Sequence, residues 1–417
     1  MTEKIVYKEW KREEDCNSTQ IYETTMETEK LPVETSPSVQ ESPPKPKIGT
    51  GLKRTITGLS MLAGFGLVVY GGVPFITVTG LFIQFKCFQE IIKIAYQIKK
   101  IPDVPFFRTI NWYFVITANY LLFGELLAKY TQVFIKKYYL LKVLARYHRF
   151  MSFIWYFIGI IWFLTMLKKK LIRQQFSLLF WTHFLVMMVS LQLYLTYQNM
   201  YEGLIWLIIP LWLVILNDVF AYVFGKFFGK TPLISLSPNK TLEGFVLGGL
   251  STFILGSILA WIFCHFQYLV CPIKYIEVND NIVASTNCTR SYVFEPIPYY
   301  IGNTGLSINY YPFIQHSLFM SIFASIIAPF GGFAASGFKR ANKVKDFGDL
   351  IPGHGGIMDR FDCQFLMMAF VNVYISSFIK TPDVDLVFQQ ILNLNENAQL
   401  EFYKLLKDSL HERLLNR

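Results

Sequence analysis

Charged residues are scarce in this sequence. Asp, Glu, Lys and Arg make up 16% of the 417 residues, whereas soluble globular domains have roughly 25%. Hydrophobic residues reach 53%, and Phe alone occurs 39 times. So little charge cannot cover a water-exposed surface, which argues against a soluble enzyme, and the chain is too apolar to be disordered throughout. The composition predicts an all-α fold, a polytopic transmembrane helical bundle.

Other common signals are missing as well. The six cysteines show no Cys-x-x-Cys or Cys/His spacing typical of zinc sites. No apolar segment of a secretory signal begins near Met1, and no internal repeat is visible. The net charge of +10 does not argue for nucleic acid as a partner, because basic residues also gather at the cytosolic ends of membrane helices.

The polarity of the chain predicts four regions. Residues 1–54 are polar and include a proline-rich stretch, so they predict a disordered cytosolic tail. We interpret the rest as N-terminal transmembrane helices (55–200), a catalytic transmembrane region (201–380) with a charged loop at 336–362, and C-terminal amphipathic helices (381–417) on the cytosolic side.

About nine apolar stretches approach the length of roughly 20 residues that a membrane-spanning helix needs. They are residues 55–70, 73–96, 111–127, 150–167, 176–196, 203–224, 245–266, 317–335 and 365–378.

The distribution of Lys and Arg predicts which side of the membrane each loop faces. Basic segments at 168–173, 226–240 and 339–345 fall on one side if the tail is cytosolic. The basic segment 129–149 falls on the opposite side, so it either lies along the interface or the number of spans is wrong there.

The polar loop 265–315 is expected on the side opposite the basic segments. It contains Cys271, Cys288 and a glycosylation sequon at Asn287. An oxidising lumen would permit a Cys271–Cys288 disulfide, and two free thiols are the alternative.

An apolar stripe marks the C-terminal region. Leu400, Tyr403, Leu406 and Leu410 recur at helical spacing. We expect this stripe to pack against the membrane domain, with partner binding as the alternative.

The loop 336–362 carries the densest mixture of charges. Asp359 and Asp362 are three residues apart, so they share one face of a helix, and they precede an apolar run. Mg²⁺ is typically held by one or two carboxylates together with substrate phosphate oxygens. The alternative is a solvated loop beside the membrane.

Two further features of this loop suit a polyphosphate. Residues 353–356 (Gly-His-Gly-Gly) let backbone N–H groups approach a ligand, and a helix start favours an anion. Lys339 and Arg340 end a span that Pro329 breaks. These two cations suit a polyphosphate, or they anchor the span on the cytosolic side.

A second polar island precedes the loop. Asp218 lies inside an apolar span, where an ionisable residue is energetically costly and therefore indicates a functional site. The alternative is a structural role, in which Asp218 pairs with a neighbouring helix. Ser237 and Pro238 predict a helix N-cap and first position, which would place Lys240 and Thr241 in the first turn. That turn would form an anion site or an ordinary capped helix.

The loop resembles the signature of phosphatidate cytidylyltransferases (CDP-diacylglycerol synthases). The matching positions are Ser336, Lys339-Arg340, Lys345-Asp346, Pro352, His354-Gly355-Gly356 and Asp359-Arg360-Phe361-Asp362. Residues 217–218, 228–233, 237–244 and 331–333 also resemble the eukaryotic branch. One departure is Asn239, where a basic residue is expected, while Lys240 remains.

The resemblance implies that CTP and phosphatidate react to CDP-diacylglycerol and pyrophosphate with Mg²⁺ as cofactor. It also implies three sets of residues. The metal ligands would be Asp218, Asp346, Asp359 and Asp362. The catalytic groups would be Lys339, Arg340, Lys345, His354 and Arg360. The substrate-binding residues would be Ser237, Lys240, Thr241, Ser336, Gly355 and Gly356.

Two alternatives stay open at this point. A CTP-dependent lipid kinase of the dolichol kinase type would use similar charges but transfer the γ-phosphate. A transporter would line its path with Asp218 and the break near Pro329. The resemblance further implies the endoplasmic reticulum membrane with the site facing the cytosol, and a homodimer is a partner to consider.

Overall fold

The computed structural model describes residues 50–99, 107–130, 137–234, 240–278, 281–285, 288, 290–300, 307–351, 355–380, 387–388, 391–392 and 394–415. Most of the predicted tail lies outside these residues, as do Ser237, Asn287 and His354.

The described residues are mainly helical. The helices are α1 (Thr50–Tyr70), α2 (Gly72–Lys99), α3 (Phe107–Tyr130), α4 (Tyr139–Thr165), α5 (Ile172–Tyr201), α6 (Ile205–Phe228), α7 (Leu242–Cys264), α8 (Phe313–Ile326), α9 (Pro329–Ala341), α10 (Met358–Tyr374), which continues as a π-helical turn over Ile375–Ile379, and α11 (Glu396–Leu415). Short helical turns occur at Lys169–Leu171 and Gln267–Val270.

The predicted multi-pass helical architecture is confirmed. Within the described residues, seven segments are long and apolar enough to cross a membrane. They are Gly72–Tyr96, Tyr139–Thr165, Lys169–Tyr201, Ile205–Phe228, Leu242–Cys264, Phe313–Ala341 and Met358–Ile379. The two other apolar stretches are helical too, in α1 and α3, but they do not reach that threshold, so the count of nine spans is not confirmed.

The basic segment 129–149 is explained by an early helix start. Helix α4 begins at Tyr139, so Lys142, Arg146 and Arg149 lie within it rather than before it. Lys137 forms an ion pair with Glu277 of a strand in the polar loop, with 3.6 Å between Nζ and Oε1. The start of this segment therefore lies at the end of the bundle where the polar loop is.

Small residues bring α6 and α7 together. The buried face of α7 repeats every four residues as Gly244, Gly248, Thr252, Gly256 and Ala260. A Cβ atom added to Gly248 would lie 2.8 Å from the backbone nitrogen of Ala221 on α6. Such close backbone approach is how membrane helices gain van der Waals contact in the absence of a hydrophobic driving force.

Buried polar side chains tie the N-terminal helices together. Gln84 of α2 donates hydrogen bonds of 2.7 Å to Asn119 Oδ1 of α3 and to Ser190 Oγ of α5. Asn119 returns a hydrogen bond of 3.1 Å to Gln84 Oε1. The same helices share a hydrophobic core with Phe347, Ile357 and Met358 of the charged loop. The N-terminal helices therefore support that loop directly.

The polar loop lies at the other end of the bundle. It contains two antiparallel hairpins, β1 (Lys274–Val278) with β2 (Asn281–Ser285) and β3 (Ile297–Tyr300) with β4 (Ser307–Tyr310). Cys271 and Cys288 form the predicted disulfide.

The last span also ends at the disulfide end. Lys380 forms an ion pair with Glu202, which follows α5, and the Tyr292 hydroxyl donates a hydrogen bond to the Phe378 carbonyl. The C-terminal extension therefore follows a span that ends opposite the charged loop, whereas it was expected on the cytosolic side, the side of that loop. Its predicted helix exists as α11.

The expectation that the C-terminal stripe packs against the membrane domain is wrong. Leu400, Tyr403, Leu406 and Leu410 are 56%, 63%, 48% and 50% exposed. The spacing of the apolar residues predicted the helix correctly, but spacing contains no information about what covers the stripe.

Candidate active site

Asp359 is the centre of the hydrogen-bond network in the charged loop. Its Oδ1 accepts a hydrogen bond of 2.5 Å from Lys339 Nζ. Its Oδ2 accepts from the backbone N–H groups of Phe347 (2.9 Å) and Gly356 (3.0 Å). The Asp359 side chain is only 3% exposed. A carboxylate has about four lone-pair positions, so three of them are already used within the chain.

Glu90 of α2 holds the start of α10. Its Oε1 accepts a hydrogen bond from the Ile357 N–H and its Oε2 accepts one from the Met358 N–H, both over 2.9 Å. Ile357 is the N-cap residue of α10 and supplies no side-chain cap of its own. The helix start that the sequence suggested for a phosphate therefore already carries a carboxylate of the protein.

The two glycines of the predicted phosphate loop have structural roles. Gly355 has φ = +81°, a conformation that favours glycine, and an added Cβ would lie 3.0 Å from Asp359 Oδ2 and 3.3 Å from Asp346 Oδ1. Gly356 donates its N–H to Asp359. These contacts place the Asp346 and Asp359 carboxylates together, next to Gly355.

A second group of charges forms between α6, α10 and Lys240, which lies just before α7. Asp218 of α6 lies within electrostatic reach of Lys240, Asp362 and Arg360. Asp362 is also within reach of Lys240 and Lys339, and its Oδ1 accepts a hydrogen bond of 2.8 Å from the Cys363 N–H. Asp218 and Asp362, which are far apart in the sequence, therefore belong to one site.

Close packing of α9 against α10 keeps Asp362 in this site. A Cβ added to Gly331 would lie 2.5 Å from the Asp362 carbonyl oxygen, and one added to Gly332 would lie 3.6 Å from Asp362 Oδ2. Gly331 thus leaves room for the backbone of α10 at Asp362, and Gly332 lies in ordinary contact with the carboxylate.

Two of the site's lysines lie over aromatic rings. Lys240 Nζ is 4.7 Å from the centre of the Phe333 ring, and Lys339 Nζ is 5.3 Å from that of Phe347. An ammonium over a ring face is stabilised by the ring's quadrupole. These contacts fix the direction of both lysines; Phe333 lies in the stretch 331–333 that resembles the family, whereas Phe347 was not among the predicted site residues.

The predicted start of the helix after Ser237 is wrong. Helix α7 begins at Leu242 with Thr241 as its N-cap, whose Oγ1 accepts a hydrogen bond of 3.2 Å from the Gly244 N–H. Thr241 is extended and bridges to Pro232, and Leu233 donates its N–H to the Lys240 carbonyl. Lys240 therefore precedes the helix, and the Thr241 hydroxyl oxygen already accepts a bond.

The remaining predicted residues lie around this core. Lys345, Asp346, Arg340 and Arg360 are exposed, and Ser336 is half-buried on α9. Within the described part of the chain, no group of three or more His, Cys, Asp or Glu side chains is arranged to hold a metal ion. The four predicted aspartates are thus divided between Asp359 with its chain partners, Asp346 beside it, and the Asp218–Asp362 pair.

Glu90 is the site residue that sequence reasoning missed. The available signal was an acidic residue inside an apolar span, which is costly and is a functional candidate by default. Glu90, in the apolar stretch 73–96, has the same position in its span as Asp218 has in the stretch 203–224, an acid among apolar residues.

Comparisons with known proteins identify the family of the chain. The chain matches the model of the cytidylyltransferase family over residues 52–378. It is 46% identical to phosphatidate cytidylyltransferase 1 of Homo sapiens over 366 residues, which cover 86% of this chain and 79% of the relative. It is 44% identical to phosphatidate cytidylyltransferase 2 of Homo sapiens over 363 residues (86% and 81%). It is 43% identical to phosphatidate cytidylyltransferase of Caenorhabditis elegans over 367 residues (86% and 78%).

Proposed function

Because the chain belongs to the cytidylyltransferase family, we propose that it transfers the cytidylyl group of CTP to phosphatidate, giving CDP-diacylglycerol and pyrophosphate. The observation that carries the proposal is the convergence of Asp218, Lys240 and Asp362 at one end of a membrane bundle. A site of opposite charges at that position suits a substrate with a charged head and a lipid tail.

The reaction needs no covalent enzyme nucleophile. An oxygen of the phosphatidate phosphate is already an oxyanion, and it attacks the α-phosphorus of CTP. A new phosphorus–oxygen bond forms, the bond from the α-phosphorus to the bridging oxygen breaks, and pyrophosphate leaves with the electron pair. The protein therefore contributes mainly the positioning of the two phosphates and the neutralisation of their charge.

We assign to the basic side chains the binding of the negatively charged phosphates of the substrates. Lys339 donates to Asp359 with one of its three N–H groups, so two remain for phosphate oxygens. Lys240, held over the Phe333 ring, faces the Asp218–Asp362 pair. The exposed Arg340, Lys345 and Arg360 add positive charge where the triphosphate and the leaving pyrophosphate would lie.

Asp218 and Asp362 fit a magnesium ion. Both offer hard carboxylate oxygens, and two like charges held within electrostatic reach favour a cation between them. Two carboxylates with substrate phosphate oxygens are a usual set of ligands for Mg²⁺. When bound, the ion would neutralise charge on the phosphates. Asp359 is assigned a different role, which is to hold the loop and Lys339.

The test is to follow each phosphate of CTP. Purified protein in detergent receives phosphatidate, Mg²⁺ and CTP labelled at either the α- or the γ-phosphate. We expect the α-label in the lipid and the γ-label in pyrophosphate. A γ-label in the lipid would instead identify a lipid kinase, and an unlabelled lipid in both arms would contradict group transfer altogether.

We also propose that the protein lies in the endoplasmic reticulum membrane with this site facing the cytosol. The basic segments at the site end support this orientation, and the disulfide at the other end suits an oxidising lumen. With Cys16 replaced (C16S) so that its thiol cannot react, the thiol introduced by D349C at an exposed position should react with an impermeant maleimide in intact microsomes. The exposed position of Y299C, in β3, should react only after the membrane is permeabilised.

A further inference from the structure

Glu90 connects the N-terminal helices to the charged loop. It belongs to α2, and its two hydrogen-bond partners lie 267 and 268 residues later in the chain. Both carboxylate oxygens are used, one for each N–H group. The first N–H groups of a helix have no partner within it, so an external carboxylate there satisfies two of them and opposes the positive end of the helix dipole.

The loop is shaped to receive this carboxylate. A Cβ added to Gly348 would lie 2.8 Å from Glu90 Oε1, and one added to Gly356 would lie 2.5 Å from Glu90 Oε2. Either distance is too short for any real Cβ, and Gly356 is additionally confined by the Gly348 nitrogen at 2.7 Å. The absence of side chains at both positions therefore makes room for Glu90.

The contact continues to the charged residues of the site. Met358, which donates to Glu90, immediately precedes Asp359, which accepts from Gly356, Phe347 and Lys339. Asp362 lies one turn further along the same helix. A shift of the first turn of α10 would therefore move Asp359 and Asp362 together.

We propose that Glu90 is a positioning residue for cytidylyl transfer: its carboxylate fixes the first turn of α10 and, through it, Asp359 and Asp362. The proposal rests on the proposed function of the site. Glu90 does not touch substrate in this role. The phosphates of the substrates must then be bound by the lysines and arginines, because the Glu90 carboxylate already occupies the N–H groups at the start of α10.

The experiment compares E90Q with wild-type protein. The amide keeps the size of the side chain, but its NH₂ group faces an N–H donor, so one hydrogen bond is lost. Hydrogen exchange measured by mass spectrometry on peptides covering the start of α10 should speed up at Ile357 and Met358 and stay unchanged in α4 and α7. We expect kcat to fall by about 10-fold to 100-fold, as for a displaced catalytic group, with KM for CTP nearly unchanged.

The matched control is E125Q. Glu125 is also a carboxylate in the N-terminal helices, but it pairs with Arg149, with 2.7 Å between Oε2 and the guanidinium. Its amide variant should leave exchange at the start of α10 and kcat as in the wild type. If E90Q is too unstable to purify, G348A serves as the second variant. It keeps the Glu90 carboxylate and presses a methyl group against it, so it should speed hydrogen exchange at Ile357 and Met358.

Three results would overturn the proposal. They are wild-type turnover in E90Q, a loss of turnover with unchanged exchange at Ile357 and Met358, and faster exchange spread evenly over the chain. If the wild-type protein makes no CDP-diacylglycerol, the proposed function fails, while the exchange data still decide whether Glu90 holds the helix start.

Discussion

Lys339 and Asp359 form an ion pair with 2.5 Å between Nζ and Oδ1, and their side chains are 14% and 3% exposed. The pair joins the end of α9 to the first turn of α10. Removing one member of a buried pair leaves the other charge without compensation, whereas replacing both is often nearly neutral.

D359N should therefore lose both turnover and stability. We expect the free energy of unfolding to fall by about 3–5 kcal/mol, because Lys339 stays buried without its partner. Thermal unfolding in detergent measures this change. The double variant K339M/D359N should recover most of the stability and none of the activity. A D359N protein with the thermal stability of the wild type would contradict the structural role of the pair.

Asp218 and Asp362 should affect magnesium use instead. D218N and D362N each remove one of the proposed ligands, so we expect the Mg²⁺ concentration for half-maximal activity to rise about tenfold or more. Titration of activity with Mg²⁺ at saturating CTP measures the effect. D349N removes a charge from an exposed position of the same loop and serves as the control. An unchanged Mg²⁺ requirement in both variants would show that the ion is held elsewhere.

Close packing of α6 and α7 should make Gly248 intolerant of a side chain. In G248A the methyl group would lie 2.8 Å from the Ala221 nitrogen, and backbone cannot move aside cheaply. We expect a loss of about 1–3 kcal/mol, typical of overpacking. G64A is the matched control, since a Cβ at Gly64 meets nothing within 4 Å. Thermal unfolding that ranks G64A below G248A would contradict this packing.

The disulfide should stabilise the protein without serving the reaction. Cys271 and Cys288 are 17 residues apart, so C271S should lose about 3 kcal/mol of stability by the loop-closure estimate. Turnover at low temperature should remain, because the loop lies at the end opposite the site. Reductant should destabilise the wild type and leave C271S unchanged. Equal sensitivity of both proteins to reductant would place the effect at another cysteine.

The membrane architecture was predictable because its signal is local. An apolar run such as 203–224 must become a helix wherever it sits in a membrane, since its backbone has no other hydrogen-bond partners. The break near Pro329 was predictable for a similar reason, and α9 does begin at that residue. The charged loop was identified from its own residues, because few other segments are so polar.

What the sequence did not reveal depended on distant contacts. Lys339 is a partner of Asp359, and Glu90 holds the start of α10. Both pairings arise from how α2, α9 and α10 pack, which spacing along the chain does not encode. The helix start at Leu242 was misplaced because a Ser-Pro cap signal competes with the bridge between Pro232 and Thr241.

The hydrogen bonds that Gln84 makes to Asn119 and Ser190 fix the position of α2 along the axis of the bundle, and with it the height of the active site. In hydrocarbon, apolar side chains contact lipid as readily as protein, so they specify weakly how far one helix slides along another. Gln84 fixes α2 at one height, and Glu90 lies six residues further along the same helix, about 9 Å away by the helical rise. The length of chain between the two residues thereby determines the height at which α10 begins.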